Sequence, residues 1–186
     1  MAPLSRSRGS GQGPKATPDD AACLLVEALV EWCTSESLDA SRRDFSIPEC
    51  AEPFGCEMFY LYVFLLSVSI EMSYASRVEF GVSVARGLMD KVRTAMEGGR
   101  FGGLGLSFEQ LEERYRQYLD LRLRGVRYLT ENLPYTFLVT NGVCPSEKWE
   151  DMTLVGRPLL TMQLWVGEML NRLCEANRKW QDKFLD

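Results

Sequence analysis

Met58 to Ile70, MFYLYVFLLSVSI, places eleven apolar side chains and only two serines in thirteen consecutive positions, between the carboxylates of Glu57 and Glu71. A bilayer span takes about 20 consecutive apolar residues, whereas a run of about 10–14 is more often a core helix. The run therefore reads as the buried central helix of a soluble helical protein, with no membrane span. The absence of proline from Phe54 to Glu97 favours helix over the strand that YLYVFLL alone would suggest.

A chain of 186 residues is long enough to bury roughly 70 % of its unfolded surface in one domain. Apolar residues make up 46 % and charged residues 25 %, as in ordinary globular proteins. Residues 1–16 combine Gly, Ser and Pro with Arg6, Arg8 and Lys15 and contain no acid. They read as a disordered basic tail, and 17–186 as a single helical bundle domain. The net charge of −5 disfavours general polyanion binding, and no nucleic-acid partner is expected.

Histidine is absent. That removes Ser-His and Cys-His catalytic pairs and His-liganded zinc or di-iron sites. Six cysteines occur without a Cys-x-x-Cys pair and without an apolar signal segment ahead of them. They are read as reduced thiols in a cytoplasmic, reducing compartment. Cys56, at the start of the apolar helix, is the one thiol for which a helix dipole would lower the pKa. No cofactor is implied, and the balance is against an enzyme.

The expected architecture is an all-α bundle of about five helices. Helix one starts at Thr17-Pro18-Asp19-Asp20, a cap followed by proline and acids, and runs to about Ser35. Residues 37–53 read as a connector. The apolar helix covers about 55–75. Ser76-Arg77-Val78-Glu79 resembles a capping box that restarts a helix over 77–97, with Val78, Val82, Ala85, Leu88, Met89, Val92 and Met96 as its apolar stripe. A fourth helix starts at Ser107 with Gln110 in a capping box and continues to about Leu129. Its outer face carries Glu112, Arg116, Asp120 and Arg124 as an alternating ladder. Residues 130–148 fit a short helix or a short strand, and a last helix with a break at Pro158 closes the core.

Two candidate sites follow. Phe59, Tyr60, Tyr62 and Tyr74 crowd the apolar helix and read first as core packing; because buried tyrosine hydroxyls need partners, an interface or a lined pocket on this side is the functional alternative. The glycine-rich link 98–105 lacks the preceding strand and the lysine of a phosphate loop. It reads as a mobile connector, with a weak anion site at Arg100 and the amides after Ser107 as a lesser alternative. The functional expectation is a non-enzymatic protein–protein interaction module: adaptor, chaperone-like or homo-oligomeric. The alternative is a helical binding protein whose aromatic-lined pocket takes a small apolar ligand.

Overall fold

The computed structural model describes residues 17–45, 47, 53–141 and 152–184, without the side chains of 126, 152–157 and 179–184. The basic tail, Cys50, Cys144 and the side chain of Trp180 lie outside the described residues. Seven helices and no strand are present among those described: α1 Pro18–Trp32, α2 Ser35–Asp44, α3 Phe54–Ser73, α4 Val78–Glu97, α5 Phe108–Leu123, α6 Val126–Thr140 and α7 Met152–Phe184. The all-α expectation holds; the count of five does not.

Both extra helices have local causes. Thr34 Oγ1 accepts from Ser37 N, so a new helix is capped inside the stretch read as connector. Gly125, at φ 115°, breaks the expected fourth helix into α5 and α6, because few side chains tolerate that backbone. The ambiguous segment from 130 to 140 is helical and includes Pro134. Pro158 lies inside α7 without ending it.

α3 packs against α1, α2, α4, α5 and α7. Sixteen of its 20 residues are buried. Its length and mean hydropathy of 1.4 would suffice to cross a membrane, and 83 % of that window is buried inside the structure. The capping boxes had mixed outcomes. At α1, Thr17 and Asp20 close a reciprocal box. At α5, Ser107 Oγ accepts from Gln110 N, and the Gln110 side chain instead accepts from Tyr60 Oη at 3.0 Å. Ser76 caps nothing: α4 starts after Arg77, whose N–H donates to Tyr74 O in a tight turn.

The buried stripe of α4 differs from the sequence reading. It is Gly81, Val84, Leu88, Val92 and Ala95, which turns Val78 and Val82 outward. The cause lies in two glycines. A Cβ on Gly81 would stand 2.9 Å from Tyr74 Cβ, and one on Gly87 would stand 3.2 Å from Ala22 Cβ. These close approaches seat α4 against α3 and α1 on a face that counting only large apolar residues overlooks.

Candidate functional site

The four aromatic residues singled out on α3 do not converge. Helical spacing of about 100° per residue turns Tyr60 and Tyr62 about 160° apart, with Phe59 between them and its ring 5.7 Å from that of Tyr60. Phe59 packs on Phe101 of the glycine link, with ring centroids 4.7 Å apart. Tyr60 reaches the start of α5. Tyr62 lies against Trp32 and Trp165, and burial pushes its hydroxyl up to about 12. Tyr74 leans on Phe80 at 5.1 Å. All four are buried, and Phe59 and Tyr62 pack against other aromatic rings.

Arg100 and Ser107, the residues of the weak anion site, both have partners within the chain. Arg100 forks onto Glu27 with Nη–Oε distances of 3.0 and 2.8 Å, and Ser107 Oγ serves as the α5 cap. The glycine link is anchored. Phe101 is buried, Arg100 is held by α1, and Leu104 O accepts from Cys56 Sγ at 2.6 Å. Gly99, Gly103 and Gly105 take φ of 70°, 80° and 63°, which lets the chain turn between these anchors. The Cys56 thiol is pushed up by burial and the neighbouring Glu57 charge, opposite to the lowering expected from a helix dipole.

The carboxylates flanking the apolar run find cations on α5. Arg114 Nε donates to both Glu57 oxygens at 2.9 Å, and Arg122 Nη2 donates to Glu71 at 2.9 Å. Arg114 and Arg122 thus tie α5 to α3. Glu57 is buried, and this desolvation pushes its carboxyl up despite Arg114. The expected ladder does not close within 4.0 Å among the described residues; Arg124 donates to Tyr128 Oη instead. A cavity of about 470 Å³ opens beside Glu57, edged by Cys56, Tyr60, Gln110, Glu113 and Arg114. Its thiol, phenol, carboxylate and guanidinium are already bonded to one another or to backbone. No cluster of three or more metal-ligating side chains occurs among the described residues.

The second large cavity, about 440 Å³, is apolar and lies between α4 and α5. Its floor is Ile70 and Glu71 of α3 and Tyr74 just beyond it, and its walls include Val78, Val82 and Ala85 of α4 and Tyr115 of α5. Both wall helices pack on α3. At the far end Arg93 lies over the Phe108 ring at 4.1 Å and bridges α4 to α5. At the near end Val78 is 64 % and Val82 52 % exposed. Tyr115 is the α5 residue on the wall; one and two turns farther along α5, Leu119 and Leu123 are exposed outside the cavity, the latter at 76 %. The result is a slot whose α4 edge presents Val78 and Val82 to water beside the buried Tyr74 ring.

Of the four aromatics chosen from sequence, Tyr74 alone lines this slot. Sequence reasoning missed Leu119 and Leu123, which lie among the arginines of α5, and placed Val78 and Val82 in the core. The available signal was the width of the α4 stripe: seven apolar positions cover more of a helix than one buried face requires. Compared with family models, curated proteins and solved structures, the chain matches none.

Proposed function

We propose that this chain is a non-enzymatic interaction module, with a helical body organised around α3, that receives an amphipathic helix of a protein partner in the slot between α4 and α5. The supporting observation is the exposure of Val78 and Val82 on its α4 wall, with Leu123 exposed on α5 two turns beyond Tyr115. Exposed aliphatic groups facing each other across a groove suit the i, i+4, i+7 anchors of a docked helix. Covering them contributes roughly 3–6 kcal/mol, at about 1.5–3 kcal/mol for each fully buried side chain scaled by its exposure. The four free cysteines among the described residues suit a cytoplasmic, reducing setting for this reading.

The test is selection of helices that bind the full chain from a yeast-displayed library of amphipathic 18-residue helices. Binding should fall at least tenfold in Val82→Asp, with an unchanged Tm because Val82 is exposed. Leu164→Asp, on an exposed position of α7, should leave binding unaltered. Failure to enrich any helix sensitive to Val82→Asp would refute the proposal.

A second reading rests on the cavity volume, which falls within the range of small-molecule pockets. A small apolar ligand would be retained in native mass spectrometry as added mass on the monomer, and Tyr74→Ala would remove it.

A further inference from the structure

Glu57 has less hydrogen bonding than its burial calls for. The residue is 4 % exposed. A carboxylate offers about four acceptor sites, yet among the described residues a single N–H serves both oxygens, that of Arg114 Nε at 2.9 Å to each. The guanidinium does not fork onto them, because its Nη1 donates to Gln117 Oε1 at 2.9 Å instead. A buried ion pair offsets its lost hydration only when further hydrogen bonds fill the remaining lone pairs. Burial accordingly pushes the Glu57 carboxyl up despite the cation beside it.

Glu57 lines the cavity of about 470 Å³ at the starts of α3 and α5, and the groups that share that lining with it are rich in acceptors. Glu113 adds a second carboxylate from α5; it is exposed and accepts from Gln117 Nε2 at 3.4 Å. Gln110 Oε1 accepts from Tyr60 Oη at 3.0 Å and keeps a second lone pair. The Cys56 thiol and Tyr60 phenol, both pushed up by burial, are uncharged and already donate to Leu104 O and Gln110 Oε1. Two carboxylates against one guanidinium leave a negative excess, so an anion entering here would meet repulsion and a cation with several N–H groups would meet acceptors.

We propose that this cavity binds a small primary ammonium compound, whose N–H groups donate to Glu57, Glu113 and Gln110. An ammonium carries three donors, and the volume falls within the range of small-molecule sites. No lining residue is shared with the slot between α4 and α5, so either site can exist without the other. The groups facing Glu57 are Arg114, Glu113 and the buried Tyr118 phenol, itself pushed up, from α5, with Cys56 and Tyr60 from α3. Proton uptake by Glu57 removes the charge the ammonium needs, so affinity should fall from pH 7 to pH 5.

The experiment is a titration of the full chain, followed by amide NMR at constant ionic strength, with butylammonium, tetramethylammonium and butyrate. Butylammonium should move the amides of Cys56, Gly105 and Gln110, which line the cavity, and saturate with a Kd of about 1–10 mM, as suits so small a ligand. Tetramethylammonium has the charge without an N–H, and butyrate has the chain with the opposite charge; neither should saturate. Exposed Glu113→Gln should weaken butylammonium by about threefold. Arg114→Met/Glu57→Gln, which removes the buried carboxylate together with its cation and strands no charge, should abolish saturation with its fold intact by circular dichroism. Equal saturation by tetramethylammonium, or saturation by butyrate, would overturn the proposal. So would unchanged butylammonium binding in the double variant, or no saturation by butylammonium up to about 100 mM.

Discussion

Replacing Arg114 with methionine keeps the aliphatic stem and leaves the Glu57 carboxylate buried without its cation. Removing one member of a buried pair costs about 3–5 kcal/mol when the remaining charge has no escape. Glu57 has one, because it can take up a proton. The ordinary value for a glutamate is 4.5, so protonation at pH 7 costs about 1.36 × 2.5, or about 3.4 kcal/mol, which caps the charge penalty. At pH 5 the same cap is about 0.8 kcal/mol. The sign follows from linkage. Burial already raises the folded-state carboxyl above its unfolded value, and loss of Arg114 raises it further. The resulting penalty is absent below the unfolded value and grows as pH rises towards the folded one. Urea unfolding followed by circular dichroism should show Arg114→Met destabilised by about 2–3 kcal/mol at pH 7 and by less than half of that at pH 5. Arg114→Met/Glu57→Gln should recover most of the loss, since the amide removes the stranded charge. Equal losses at both pH values, or no recovery in the double variant, would refute the reasoning.

Other consequences are accessible to simple assays. Gly81→Ala should lower Tm, because the new methyl meets Tyr74 Cβ at 2.9 Å and overpacking of about 1–3 kcal/mol outweighs a helix-propensity gain of up to about 1 kcal/mol. Gly167→Ala in α7 should raise Tm by about 2–4 °C, since nothing lies within 4 Å of the added carbon. Iodoacetamide at pH 8, read by peptide mapping, should modify exposed Cys23 in the native protein well before Cys33 and Cys174, which are buried. Burial pushes the Cys33 thiol up to about 12, so its labelling should require urea.

The parts legible in the sequence were those set by local chemistry. Thr17 and Ser107 are caps because their hydroxyls reach an amide three residues on. The apolar run is helical and buried because a helix with few polar groups must be covered on most sides. What stayed hidden depends on partners distant in the chain. Ser76-Arg77-Val78-Glu79 has the spacing of a capping box, yet the turn at Tyr74 decides where α4 starts. Arg114 and Arg122 have no partner legible in the sequence until α3 supplies Glu57 and Glu71. The slot was obscured in the same way. A valine count assigned Val78 and Val82 to the core, while Gly81, a residue with no side chain, set the rotation of α4 that exposes them. Seven apolar positions in one amphipath predict burial, but only the packing partner fixes which edge remains wet.

The central claim is tested most directly by methyl NMR of the full chain during titration with the tightest selected helix. The account predicts that methyl resonances of Val78, Val82, Leu119 and Leu123 shift together and saturate, while those of Leu160 and Leu164, exposed on α7, stay in place. Shifts confined to Leu160 and Leu164, or saturation without movement of Val82, would contradict it.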